Sequence, residues 1–147
     1  MPAPFRFSLQ NILDYRIQME EQARIELARA ENEYRQQDQE IENLQARLQQ
    51  IDRDFLEQSR ISPNELWLWR NYKERILLDI EEAQEKLKEL SAKVKEKRNV
   101  LLEKSKEKKK IEKVKSKRAL EYYKEEARKE QNELDEIGTL HFQKRHF

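Results

Sequence analysis

The chain has 147 residues, of which 41% are charged and 36% are apolar, and its formal net charge is +1. One glycine and three prolines supply too few turn residues for a sheet-containing fold, so β and α/β architectures are excluded. The absence of cysteine excludes disulfides and thiolate metal sites, and the high charge predicts long helices paired along a narrow apolar seam.

An aromatic motif precedes the first predicted helix. Phe5 and Phe7 come before Ser8, which is suited to be the N-cap of a helix with a hydrophobic staple beside it. Alternatively, the two phenylalanines dock onto the second helix or onto a partner protein. The residues by themselves leave both interpretations open.

A seven-residue repeat predicts the first helix over about residues 8–58, because apolar side chains recur at alternating spacings of three and four. Charge interrupts the stripe at Arg16 and Glu20, and the stripe is strongest from Ile41 to Phe55. The seam residues that we assign to this helix are Leu27, Tyr34, Ile41, Leu44, Leu48 and Ile51.

A reversal is predicted at residues 59–62. Ser62-Pro63-Asn64-Glu65 has the pattern of a capping box with proline at the first helical position, so the second helix should begin at residue 63. A connection this short makes the two helices antiparallel neighbours. The sequence therefore predicts an all-α antiparallel coiled-coil hairpin in a single domain.

Aromatic side chains gather around this reversal. One interpretation is that they pack together and close the end of the hairpin. However, Leu66 to Trp69 is a run of four apolar residues, and a two-helix seam cannot bury all of them. At least one should therefore be exposed, as a binding anchor. The candidate contact residues at this loop end are Phe55, Trp67, Trp69 and Tyr72.

The heptad repeat resumes in the second helix, which we predict over about residues 63–137. Gly138 is expected to end this helix, and residues 138–147 are expected to form a tail. A late apolar stripe from Leu120 to Ile137 is out of register with the earlier seam. The seam residues that we assign to this helix are Ile76, Ile80, Ala83, Leu87, Leu90, Val94 and Leu101.

A dense basic run follows in the second helix, with nine basic and two acidic residues from Lys104 to Arg118. It is either a solvated helix face or a docking surface for an acidic partner. Nucleic acid is disfavoured because no aromatic residue in the run can stack on bases. The basic residues are Lys104, Lys106, Lys108, Lys109, Lys110, Lys113, Lys115, Lys117 and Arg118.

Motifs for catalysis, phosphate binding or metal binding are not found in the sequence. His141 and His146 lie in the predicted tail, away from any cluster with metal-ligand spacing. The many carboxylates are expected to face water on a two-helix rod, where no pocket gathers them into a site. We therefore predict that the protein is not an enzyme and has no cofactor.

Several motifs together match a known family. Glu20-Glu21, Leu27 with Ala30, and the pair Trp69 and Tyr72 are part of this likeness. An N-terminal motif carries most of it, and consists of Phe5, Phe7, Leu9, Gln10, Leu13 and Arg16. On these residues the chain resembles the flagellar export protein FliJ family.

The resemblance implies a cytoplasmic component of the flagellar type III export apparatus, peripheral at the inner face of the cell membrane at the flagellar base. It implies a two-helix stalk similar to the central shaft of rotary ATPases. Such a stalk occupies the hexameric export ATPase and promotes its assembly and activity. The cytoplasmic domain of the export gate and the export chaperones are the other implied partners.

The distribution of charge suggests an orientation for such a stalk. Our hypothesis is that the end with the basic run enters the ATPase ring, whereas the aromatic loop end contacts the gate or a chaperone. No apolar stretch is long enough to insert into a membrane, and we expect the protein alone to be monomeric.

Three alternatives to a flagellar stalk stay open. The first is a coiled-coil adaptor or spacer without an ATPase partner, and the second is a nucleic-acid-binding helical protein that uses the lysine run. The third is a related stalk from the injectisome branch of type III secretion, against which the Phe5-x-Phe7 opening argues.

Overall fold

In a computed structural model the chain forms two long helices packed against each other, which confirms the predicted all-α hairpin. The structure describes the backbone of residues 3–146 and the side chains of residues 3–144. Helix α1 comprises Gln10–Leu56 and helix α2 comprises Pro63–His146. Over the described residues there is no β-strand.

Helix α1 is slightly shorter at both ends than residues 8–58. The N–H of Leu13 donates to the carbonyl of Leu9 at 3.0 Å, so Leu9 and not Ser8 occupies the cap position. The predicted Ser8 cap is therefore wrong. At the other end, the N–H of Gln58 bonds to the carbonyl of Phe55 at 3.3 Å, and this tighter turn closes the helix.

Residues 57–62 connect the helices, and the predicted capping box at the start of α2 is confirmed. The Ser62 hydroxyl accepts a hydrogen bond from the N–H of Glu65 at 3.2 Å. In return, the N–H of Ser62 donates to the Glu65 carboxylate at 3.4 Å. These two bonds satisfy backbone donors that the first helical turn leaves without partners, which is why α2 begins at Pro63.

The sequence predicts one domain, whereas the chain divides into two compact units, each containing part of both helices. We call Gln22–Leu102 the loop unit. The described residues up to Glu21, together with those from Glu103 onwards, form the terminal unit.

In the loop unit, α1 and α2 run antiparallel along the heptad seam. Position 26 of α1 faces position 97 of α2, and position 52 faces position 73, as the ion pairs between them show. Seam side chains are deeply buried at Ala23, Ala30, Ile41, Ile76, Ile80, Ala83 and Val94. Those at Leu27, Tyr34, Leu44, Leu48, Ile51, Leu87, Leu90 and Leu101 are half-buried.

In the terminal unit the helices also run antiparallel, but the apolar core is smaller. Phe7 and Leu13 are its buried apolar side chains among the described residues. On the α2 side, no described side chain from Glu103 onwards is buried to the same degree. The contact line of this unit therefore combines a small apolar core with charged and polar pairs.

Helix α2 continues to His146, so the predicted end at residue 137 and the tail from Gly138 are wrong. Gly138 does not adopt a positive φ and so does not form a left-handed helix cap. A glycine inside a helix costs only about 1 kcal/mol relative to alanine. The Thr139 hydroxyl also donates to the carbonyl of Asp135 at 2.9 Å. Phe147, the last residue of the predicted tail, lies outside the described residues.

Candidate functional site

The basic run lies on α2 in the terminal unit, and its side chains divide between two directions. Lys104, Lys108 and Lys115 continue the heptad positions of the seam and are half-buried against α1. The Lys108 ammonium lies 3.0 Å from the Glu20 carboxylate, and the Lys115 ammonium donates to the Gln10 side-chain oxygen at 2.7 Å. Lys108 and Lys115 therefore take part in pairing the helices, whereas Lys104 lies 4.0 Å from Glu107 of the same helix.

A second set of lysines from the run is exposed. Their spacings of three, four and seven residues place them on one side of the helix, away from the seam. The run thus presents a continuous positive surface of about three helical turns, since one turn takes 3.6 residues. We call this surface the lysine face, and it consists of Lys106, Lys109, Lys110, Lys113 and Lys117.

Arg118 ends the basic run and contacts the residues that precede α1. Its guanidinium donates to the Ser8 hydroxyl at 3.1 Å, and its central carbon lies 5.7 Å from the centroid of the Phe7 ring. A guanidinium over an aromatic ring is attracted by the negative ring face. Arg118 therefore contacts the N-terminal segment and helps to hold it on α2, although the residue is exposed.

The N-terminal motif packs onto α2, which was one of the two alternatives for it. Phe7 is buried, Phe5 is half-buried, and the Phe5 ring lies 5.6 Å from the ring of Tyr122. Leu13 is 4% exposed. These residues act first as packing groups between the N-terminal segment and α2.

The polar residues of the same motif pair with α2. The Arg16 guanidinium lies 2.6 Å from the Glu107 carboxylate. Gln10 bonds to Lys115 through its oxygen, and its amide nitrogen donates to Asp14 at 2.8 Å. Leu9 is half-buried beside them. The motif thus binds the helix that carries the lysine face.

Glu20 is a contact residue whose sequence position predicts only a weak point of the seam and a part of the family likeness. Its side chain is 4% exposed and lies against Lys108, which is 20% exposed. The signal was available, because extending the repeat beyond Leu101 places Lys108 and Lys115 at seam positions. Because lysine is uncommon at seam positions, the residue types alone do not indicate that the repeat continues there.

The aromatic residues at the loop end also divide into packed and exposed sets. Phe55 and Trp69 stack with ring centroids 4.2 Å apart and planes 15° apart. The Lys73 ammonium lies 4.9 Å from the Trp69 ring centroid and pairs with Asp52 at 3.3 Å. Phe55 and Trp69 therefore close the end of the hairpin.

Two of the four aromatic residues are open to solvent. Trp67 is 64% exposed and Tyr72 is 48% exposed, and Leu68 beside them is 59% exposed. Exposed tryptophan and tyrosine at a helix end are typical of binding anchors, because large rigid rings lose little entropy on contact. Trp67 and Tyr72 are thus the accessible part of the predicted loop-end contact.

Tyr122, Glu125 and Arg128 in α2 have shifted pKa values. A hydrogen bond from Arg128, 2.6 Å away, lowers the pKa of the Glu125 carboxyl and raises the pKa of the guanidinium. Partial burial, followed by the nearby Glu126 carboxylate, raises the pKa of Tyr122, whose hydroxyl donates to the carbonyl of Ala3. Exposed pairs of this kind contribute little to stability and gather no catalytic groups.

The described residues do not contain a group of three or more histidine, cysteine or carboxylate side chains suited to hold a metal ion. Within the same residues, neither helix has an apolar stretch of the length that a bilayer crossing requires. The exposed surfaces that the geometry does provide are the lysine face and the exposed aromatic residues.

Comparison with known proteins identifies the family. The search of curated proteins and the search of solved structures give no match. The family model described as "Flagellar FliJ protein" matches residues 5–146, which is nearly the whole chain. The chain therefore belongs to the flagellar FliJ family, whose members are non-catalytic components of flagellar protein export.

Proposed function

We propose that this protein is the central stalk of the hexameric flagellar export ATPase and promotes the assembly and activity of its ring. The observation that carries the proposal is the lysine face in the terminal unit. Its five lysines are exposed, lie on one side of α2 and are not used to pair the helices. Membership of a flagellar export family makes an acidic surface on the export ATPase the natural partner.

A stalk of this kind acts by contacting identical subunits unequally. Because the positive side chains lie on one side of α2, subunits around the helix meet different charges. A ligand shifts a conformational equilibrium only to the extent that it binds the two states with different affinity. Unequal contacts with six subunits therefore bias their conformations without requiring tight binding to any one of them.

In this proposal the loop end contacts the cytoplasmic domain of the export gate or an export chaperone. Trp67 and Tyr72 supply the exposed anchors, whereas Phe55 and Trp69 stack on each other and close the end of the hairpin. We place the protein in the cytoplasm, peripheral at the inner face of the membrane at the flagellar base. Alone, we expect it to be monomeric.

The experiment that tests the proposal is a titration of the cognate export ATPase with this protein while the ring is only partly assembled. We expect stimulation of hydrolysis that saturates well below one stalk per ATPase subunit, because one stalk serves a whole ring. If neither the hydrolysis rate nor the assembly of the ring changed at any ratio, the stalk proposal would be wrong and an adaptor or spacer would be favoured.

A charge variant tests the role of the lysine face. Replacing Lys106, Lys109 and Lys113 by glutamine should weaken binding to the ring by at least about tenfold, because screened contacts of about 0.5 kcal/mol each are lost together. The matched control replaces Lys86, Lys88 and Lys95, which are exposed lysines of the loop unit. Equal effects of the two triple variants would show that only net charge matters.

The nucleic-acid alternative is tested with the same proteins. Binding of a duplex DNA probe that falls steeply with salt and is lost in the lysine-face variant would favour it over the stalk. We expect weak binding at most, because aromatic residues are not interleaved with the lysines. The acidic residues that follow the run also oppose a long track of phosphates.

A further inference from the structure

The pairing between α1 and α2 in the terminal unit combines few buried apolar side chains with charged and polar pairs. Arg16 pairs with Glu107 at 2.6 Å, and Glu20 pairs with Lys108 at 3.0 Å. In the loop unit, the positions that correspond to Arg16, Glu20 and Lys108 in the repeat are filled mainly by isoleucine, leucine, valine and alanine. The two units are thus built on the same heptad pattern with different chemistry.

This difference in chemistry implies a difference in how firmly each pair of helices is held. Burial of apolar area is the main favourable term in helix packing, and it is roughly proportional to the area removed from water. A partly buried ion pair recovers little beyond the cost of desolvating its charges. The helices of the terminal unit should therefore separate more readily than those of the loop unit.

We propose that the terminal unit is an electrostatic latch: its two helices separate and re-pair locally while the helices of the loop unit stay paired. The latch consists of Arg16 with Glu107 and Glu20 with Lys108, assisted by the bond between Gln10 and Lys115. Local opening of this kind occurs where few apolar contacts hold an element. The inference does not depend on the proposed stalk function.

Opening would change the charge that the protein presents to its surroundings. In the closed form Lys104, Lys108 and Lys115 lie in the contact line, and the Glu20 carboxylate is buried. In the open form these side chains reach water. A partner that prefers one arrangement would shift the equilibrium by its differential affinity, so the latch gives partners a means to act on the helix pairing.

Hydrogen exchange followed by mass spectrometry on the full-length protein tests the latch. The informative amides are those of residues 12–21 and 104–115, compared in the same sample with residues 30–41 and 76–94. We expect the terminal-unit amides to exchange at least about tenfold faster, as expected for a region of lower local stability. Raising NaCl from about 0.05 M to about 0.5 M should widen the difference, because salt screens the partly exposed Arg16 pair.

Variants of the buried pair separate an electrostatic latch from simple fraying. K108E places two carboxylates together and should speed terminal-unit exchange further, whereas the swapped variant E20K/K108E should restore it to within about threefold of the parent. E20L/K108L should slow terminal-unit exchange and reduce its salt dependence, because apolar replacements of a buried ion pair are often stabilising. The control K93E disrupts the exposed Lys93–Glu33 pair of the loop unit and should leave terminal-unit exchange unchanged.

Two results would overturn the latch. Equal protection of the two units from hydrogen exchange at both salt concentrations would show that the helices of the two units have the same local stability. Failure of E20K/K108E to recover protection, with E20L/K108L no slower than the parent, would show that charge pairing does not control the opening.

Discussion

Buried polar side chains interrupt the seam at two positions of α1, and each has a different kind of partner on α2. The Gln37 side chain is 6% exposed, and its amide donates to the carbonyl of Ala83 at 3.0 Å. Glu20 faces Lys108 instead. A polar group at a seam position lowers stability but favours one register over others, because a shifted partner would leave it without its hydrogen bond. Both residues therefore help to fix how α1 aligns with α2.

The start of α2 offers a prediction at the scale of one residue. Replacing Ser62 by alanine removes the hydroxyl that accepts the Glu65 N–H, and should lower the free energy of unfolding by about 1 kcal/mol. Urea denaturation followed by circular dichroism measures this change. S59A, in the same connection but before the cap, is the control and should be nearly neutral. Equal effects of the two changes would mean that the cap does not stabilise the helix start.

At the scale of the element, burial follows the heptad repeat closely in the loop unit. The side chains at positions 76, 80, 83 and 94 of α2 are buried, while those at positions 77 and 78 are exposed. Adjacent residues of similar size therefore differ completely in environment. The reason is geometric, since a helix turns 100° per residue and the partner covers only one stripe of it.

A substitution on either side of this boundary tests the register. Ile76→Ala should lower the free energy of unfolding by about 2–3 kcal/mol, at the lower end for a buried isoleucine because a two-helix seam is thin. Leu78→Ala, two residues away at a side chain that is 59% exposed, should cost no more than about 0.5 kcal/mol. Chemical denaturation of both variants gives the comparison. Similar losses for both would place the seam on a different face of α2.

At the scale of the whole molecule, α2 is much longer than α1, and the described side chains from Ala127 to Lys144 are all exposed. This segment includes apolar residues such as Leu134 and Ile137, which are 62% and 52% exposed. A single helix without a packed face is only marginally stable in water. The segment therefore adds surface for partners and little to the stability of the two units.

Truncation tests whether the exposed end of α2 contributes to the stability of the loop unit. A chain ending at Arg128 should keep the free energy of unfolding of the loop unit within about 0.5 kcal/mol of the parent value, because the removed side chains that the structure describes, those of residues 129–144, are all exposed. Tryptophan fluorescence measures the loop unit, since both tryptophans, Trp67 and Trp69, lie there. A large drop in stability would mean that the removed segment packs against the rest of the protein in solution.

The sequence alone determined the fold class, the position of the reversal and the seam of the loop unit. Turn residues are scarce, a capping box marks the start of α2, and a two-helix pairing needs one apolar stripe on each helix. These are local or periodic signals, so they can be read without knowing what lies opposite each residue. The N-terminal motif likewise gave the family.

Only the tertiary structure decided which charged residues are contacts and which are free surface. Within the basic run, Lys108 faces a buried carboxylate while Lys109 beside it is exposed, and the sequence gives both the same residue type. Likewise, Trp69 stacks on Phe55 whereas Trp67 stays exposed. The reason is that a charge or a ring becomes a contact only through its partner, and the partner is set by the alignment of two helices that lie far apart along the chain.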